Sequence, residues 1–238
     1  MKQRLTRLLA VLSLAVLCLQ LWFGARILAM RWLAPQSTTF QRSEALRLVR
    51  DQHQLAWSQT WVDDSQLPIT LKRAVIASED DSFATHGGVD WEALQSAWKK
   101  NERAQARAEA RGKTTAKVVG GSTISQQLAK NLFLSGERTL LRKGQELVLT
   151  LMLEGLLDKR RLLEIYLNHV EWGEGLFGAQ AAARHYFRTD AARLGTFEAA
   201  RLAVMLPAPK RFERQPASPY VLGRAAVIAA RMPSAQLP

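Results

Sequence analysis

Side chains able to grip a polar ligand crowd one short stretch, Gly120-Gly121-Ser122-Thr123-Ile124-Ser125-Gln126-Gln127-Leu128-Ala129-Lys130-Asn131. The two glycines permit a tight turn and close approach of a ligand to the backbone. Ser122 or Thr123 can cap a helix opening at Ile124, which places Gln126, Gln127 and Lys130 on its first two turns. Hydroxyls, N-terminal amides, two carboxamides and an ammonium make a dense set of hydrogen-bonding groups, suited to a sugar carrying phosphate. On spacing alone, a glycine turn followed by a capped helix with a polar solvent face explains the same residues. What flanks the stretch must decide between them.

The flanking elements read as helices. Leu71, Ala74, Val75 and Ser78 recur at helical spacing and lead into Glu79-Asp80-Asp81-Ser82-Phe83, with His86-Gly87-Gly88 as the breaker. Val89 to Trp98 continues as a helix with Asp90 near its start. A long helix is expected from about Leu140 to Asp158, with Arg142 and Glu146 stacked at i,i+4; a surface ion pair would account for that pair equally well. Helices follow over 161–168, 179–187, 196–205 and 220–232, with a stop near Gly173-Glu174-Gly175. No alternating strand and no internal repeat stand out.

The chain has 238 residues, enough for one large domain or for one domain and an anchor. Its net charge of +12 favours an anionic membrane face, a polyanion or a phosphorylated substrate. The single cysteine, Cys18, excludes an intramolecular disulfide and a cysteine-built metal site. Residues 8–25 carry no charge and follow the basic tail Lys2, Arg4 and Arg7. A retained membrane anchor reaching about Met30 is expected rather than a cleaved signal, because the exit stays apolar and basic through Trp32. Basic residues before the span favour an inside amino terminus and an outside body. Residues 99–117 hold seven Lys or Arg against Glu102 and Glu109. That segment suits an exposed helix, equally a solvated face or a contact for anionic lipid or substrate.

Three short patterns lead nowhere. Ser96 to Lys99 fits S-x-x-K without the partner motifs of acyl-serine enzymes. Gly112-Lys113-Thr114 lacks the leading glycine of a phosphate loop, and the four histidines form no i,i+4 metal pair.

Five motifs in order resemble the monofunctional biosynthetic peptidoglycan glycosyltransferases, relatives of the glycosyltransferase domain of bifunctional penicillin-binding proteins. They are Glu79 to Asp90 (E-D-x-x-F-x-x-H-x-G-x-D), Gly120 to Asn131, Arg142-Lys143-Gly144-Gln145-Glu146 with Leu153-Glu154, Leu163 to Asn168 with Gly173-Glu174-Gly175 and Phe177-Gly178, and Arg201 to Pro209. The resemblance covers roughly 71–232 and departs from the usual pattern at Ser125, a position often Thr. It implies a mainly α, lysozyme-like domain at 71–238, preceded by a cytoplasmic tail (1–7), a transmembrane anchor (8–30) and a linker with short elements (31–70). It also implies polymerisation of lipid II at the outer face of the bacterial inner membrane, with release of undecaprenyl pyrophosphate.

Pyrophosphate is a good leaving group, so this chemistry needs one base and a set of cations, whereas a glycosidase needs a carboxylic acid as well. The resemblance assigns Glu79 as base and Glu146 as the second important glutamate. It sets Lys130 and Arg138, with Arg142 and Lys143, at the pyrophosphate, and Ser122, Thr123, Gln126 and Gln127 on sugar and phosphate oxygens. No cofactor is required by the sequence; a divalent cation, Mg or Mn, at the pyrophosphate is compatible with the scheme, though no ligands for it stand out. The expected partners are lipid II, a lipid-linked glycan chain, the membrane and other cell-wall synthesis proteins, with no nucleic acid. A membrane-anchored muramidase and a non-catalytic envelope scaffold are the alternatives.

Overall fold

A computed structural model describes residues 2–110, 120–137 and 139–238. Arg138 and the end of the basic segment, 111–119, lie outside the described residues. The chain opens with α1 (Lys2–Ala29), then α2 (Thr39–Gln52), β1 (Ser58–Gln59), α3 (Ile69–Glu79), α4 (Trp91–Glu109), α5 (Ile124–Phe133), α6 (Leu140–Leu156) and α7 (Lys159–His169). It continues through β2 (Glu171–Gly173), β3 (Leu176–Phe177), α8 (Ala179–Phe187), α9 (Thr196–Met205), α10 (Pro209–Phe212) and α11 (Pro219–Arg231). The mainly α class expected from the sequence is what is found.

The centre of the body is α3 packed on α9 and α11. Leu71, Ala74, Val75, Ile76 and Ala77 are all buried on α3, and α9 meets them with Ala199, Ala200, Leu202 and Ala203. Small residues on one partner let the helix axes approach closely, so the C-terminal end of α3 is rigidly placed. Trp172, fully buried, ties the following hairpin to this layer by donating its indole N–H to Leu202 O at 3.1 Å.

Two features depart from the sequence reading. Residues 31–70 include a fourteen-residue helix, α2, started by a capping box in which Thr38 Oγ1 accepts from Gln41 N and Gln41 Oε1 accepts from Thr38 N. Its polar composition hid it, since only Gln41 and Leu48 are buried on it. A small sheet is also present, ordered β1-β3-β2, with β1 parallel and β2 antiparallel to β3. Strands of two and three residues are too short to show alternation. Gly173-Glu174-Gly175, read as a helix stop, runs from the end of β2 into the hairpin turn, with Gly175 at φ +67°.

Charged side chains clamp α2 and α10 to this hairpin. Arg47 bridges Glu44 (2.9 Å) and Glu174 (2.5 Å), while Lys210 pairs with Glu44 and lies 3.5 Å from Glu171 Oε1. Burial pushes the Glu171 carboxyl up to about 7, against the partial opposition of Lys210. A carboxyl raised above its unfolded value costs the folded state nothing below about pH 4.5; the cost grows up to about 7 and is constant above it. Glu171→Gln should therefore stabilise the fold at pH 8 by on the order of 3 kcal/mol, read as a higher melting temperature, and give little gain at pH 4. Melting curves at the two pH values check this; an equal gain at both contradicts the burial account.

Candidate active site

The cleft is built where the end of α3 meets the start of α5. Glu79 is the last residue of α3, and Asp80 caps that helix and turns the chain away from it. The buried Asp80 carboxylate accepts from Ile124 N at 2.9 Å, fixing the first turn of α5 beside Glu79. His86 Nε2 lies 2.9 Å from Asp80 Oδ1, and His86 Nδ1 accepts from Gly88 N at 3.0 Å. That second bond sets the tautomer: Nε2 carries the proton and donates it to Asp80. Gly88, at φ +94°, lets the loop pass α6 where a Cβ would stand 2.8 Å from Thr150 Cγ2 and 2.9 Å from Glu154 Cγ.

Thr123, not Ser122, caps α5. Its Oγ1 accepts from Gln126 N (3.1 Å) and donates to Gly88 O (2.7 Å), and Gln126 Oε1 closes the capping box on Thr123 N. Thr123 and Gln126 are thus engaged in building the site, whereas Ser122 is exposed. Gln127 bridges two groups: its Nε2 donates to Glu79 Oε2 at 2.9 Å, and its Oε1 accepts from the buried Tyr166 hydroxyl at 2.9 Å. Ser125 faces the other way and donates to Glu154 (2.5 Å), which Lys159 also holds (2.8 Å).

Two cavities meet at Ser122, which lines both. One, about 410 Å³, lies on the Glu79 side, with Asp81, Lys100, Gly120 and Arg231 among its walls. The other, about 340 Å³, is lined by Gln126, Gln127, Lys130, Asn131, Arg142, Lys143 and Glu146, with Phe40 of α2 at its edge. Among its described lining residues three cations stand against Glu137 and Glu146. Glu146 is buried, with Arg142 Nη1 at 2.8 Å and Lys143 Nζ also upon it, so the i,i+4 pair is an interior feature rather than a surface one. Arg142 Nε is buried without a hydrogen-bond partner among the described residues.

Of the sequence-predicted residues, the fold gathers Glu79, Ser122, Thr123, Gln126, Gln127, Lys130, Arg142, Lys143 and Glu146 into this one double cleft. Arg138 falls outside the described residues. Tyr166, Lys100, Arg231 and Phe40 were not singled out for the site. Tyr166 stood inside a quoted motif, but the other three converge only through folding and leave no spacing signal.

The residues do not fit a protein-built metal site. No group of three or more His, Cys, Asp or Glu among the described residues could hold an ion, and the Glu146 carboxylate is already engaged by two cations.

A half-buried carboxylate beside a cationic cavity on a helical body is the kind of site a group-transfer enzyme with an anionic substrate would need. The chain belongs to the transglycosylase family, whose model matches residues 48–233. It is 49% identical over 229 residues to the "Biosynthetic peptidoglycan transglycosylase" of Paraburkholderia xenovorans, covering 96% of this chain and 91% of that one. It is 51% identical to the protein of the same name from Burkholderia orbicola, over 96% of this chain and 89% of that one.

Burial raises the Glu79 carboxyl above the ordinary glutamate range; the Gln127 hydrogen bond opposes this and the Asp80 charge adds to it. Gln127→Leu removes the one bond that favours the anion, so the Glu79 midpoint should rise further. Carboxyl NMR of Glu79, or the pH dependence of the stability difference from Glu79→Gln, measures it. An unchanged or lower midpoint in Gln127→Leu contradicts the arrangement.

Proposed function

We propose that this chain polymerises lipid II into glycan strands, with Glu79 as the base that removes the proton from the acceptor sugar's C4 hydroxyl. The observation that carries the proposal is the pairing of unlike cavities across Ser122. One is walled by a carboxylate held as the anion's hydrogen-bond acceptor, and the other by Lys130, Arg142 and Lys143. An acceptor in the first cavity and a pyrophosphate-linked sugar in the second would put the attacking oxygen near Glu79 and the leaving phosphates on the cations.

The chemistry follows from that placement. Glu79 takes the hydroxyl proton as the C4 oxygen bonds to the anomeric carbon, and the pyrophosphate leaves with the bonding electrons. Lys130, Arg142 and Lys143 line the cavity where the leaving charge would develop, and the family resemblance assigns Arg138 to the same task. Glu146 holds Arg142 and Lys143 in place and offsets their charge when no substrate is bound. The transglycosylase family sets the muramidase and scaffold readings aside.

The first helix is long and apolar enough to cross a membrane. The reading offered is a retained single-pass anchor in the bacterial inner membrane, with the body on the outer side, where lipid-linked donor and acceptor are both concentrated. Partner proteins of cell-wall synthesis fit the same location.

Glu79→Gln keeps shape and removes the base. Purified protein with labelled lipid II should still bind substrate but lose on the order of a hundred- to ten-thousandfold in rate, and should melt no lower than the parent at neutral pH, since a buried carboxylate is gone. A stable variant that still makes long glycan overturns the assignment. The parent's rate should fall on acidification with a midpoint above the ordinary glutamate range, because only the anion can take the proton.

Lys130→Ala or Arg138→Ala should each cost ~3 kcal/mol in the transition state, roughly a hundredfold, with melting unchanged. Near-normal turnover in both removes them from the leaving-group site.

A further inference from the structure

A glutamine within an apolar helix is costly unless another group satisfies its amide. In α1 that residue is Gln20, and it is satisfied twice. Gln20 Nε2 donates to Gln145 Oε1 at 2.9 Å, and Gln145 Nε2 donates back to Gln20 Oε1 at 3.1 Å. The contact continues along one face of α1. Phe23 meets the Phe133 ring edge-on at 5.3 Å, Ile27 is fully buried, and Met30 O accepts from Arg161 Nε at 2.7 Å. Positions 20, 23, 27 and 30 are spaced 3, 4 and 3, the seam of one helix packed on a partner. The Arg26 guanidinium lies over the same Phe133 ring at 5.1 Å.

A tether needs none of these contacts. The contacts of Gln20 and Phe23 land on the two helices that wall the cationic cavity. Gln145 directly precedes Glu146 on α6, and Phe133 ends α5 three residues after Lys130. We infer that the anchor is a structural wall of the catalytic unit, with Gln20 a positioning residue that fixes α6 and so the placement of Arg142, Lys143 and Glu146. The docking stands on geometry; its effect on rate rests on the function proposed above.

Two measurements on the full-length chain in lipid bilayers test this. With Cys18 replaced by Ser, Gln20→Cys with Gln145→Cys should be joined within one chain by a short bifunctional thiol reagent, whereas Trp22→Cys with Gln145→Cys, on another face of α1, should not. Gln20→Leu keeps the helix apolar and should lower kcat on lipid II about three- to tenfold, with KM, melting temperature and membrane content unchanged. Gln20→Asn should recover part of the loss. Gln20→Leu/Gln145→Leu should be no slower than Gln20→Leu, because both act through one pair of bonds. Failure to cross-link, or a Gln20→Leu protein as fast as a polymerising parent, overturns the inference. A parent that makes no polymer overturns the proposed function instead and leaves the cross-link as an independent result.

Discussion

The cleft depends on one buried carboxylate that takes no part in the proposed chemistry. Asp80 sits at a corner where α3 has ended and α5 has yet to begin in sequence, and it binds both. Its oxygens accept from the α5 N-terminal amide and from His86, whose own orientation is fixed by Gly88 N. A negative charge at a helix N-terminus satisfies an orphan amide and meets the positive end of the helix dipole. Core packing already seats α5, and this bond fixes its first turn beside Glu79, from which Gln127 reaches the carboxylate. Residues 79 and 80 are acidic neighbours, yet their environments separate their roles: among the described residues Asp80 accepts from Ile124 N and His86, whereas Glu79 accepts from the Gln127 side chain.

That single bond sets a balance. Burial makes the Glu79 anion costly, which strengthens it as a base, while the Gln127 amide offsets part of that cost. Tyr166 is what keeps the amide turned the right way. Its hydroxyl is buried with Gln127 Oε1 as acceptor, so the Gln127 NH₂ is left facing Glu79. The hydroxyl itself is held neutral, raised well above its ordinary value by burial and by the charges of Glu79 and Asp80. Two residues from two other helices, Gln127 of α5 and Tyr166 of α7, thus bear on the state of one carboxyl group.

Much of this was legible in the sequence because the site is carried by local signals. The S/T-x-x-Q capping box, the Glu79 to Asp90 motif and the Arg142 to Glu146 helical spacing each show themselves within a dozen residues. What the sequence hid is of two kinds. Weak local patterns were lost: α2 buries too little to show a periodic stripe, and β1, β2 and β3 are too short to alternate. Long-range convergence was invisible as well. Gln20 read only as a polar residue in an apolar run, and nothing near it announces Gln145. Thr123 is both a candidate cap and a candidate ligand-binding hydroxyl in the sequence, and its bond to Gly88 O, which no spacing shows, places it in the framework that holds the site.

The two ends of the cleft show why this helical body suits transfer rather than hydrolysis. A hydrolase must protonate a poor leaving group, which calls for a second carboxyl group free to hold a proton near its target. Glu146 could have been that group by residue type. Arg142 and Lys143 instead pair with its two oxygens, so the carboxyl group is taken up in holding cations. The arrangement exchanges an acid for a cationic surface, and a cationic surface is useful only to a leaving group that departs as an anion without needing a proton. The choice of substrate is therefore expressed less in the base than in what was done to the second glutamate.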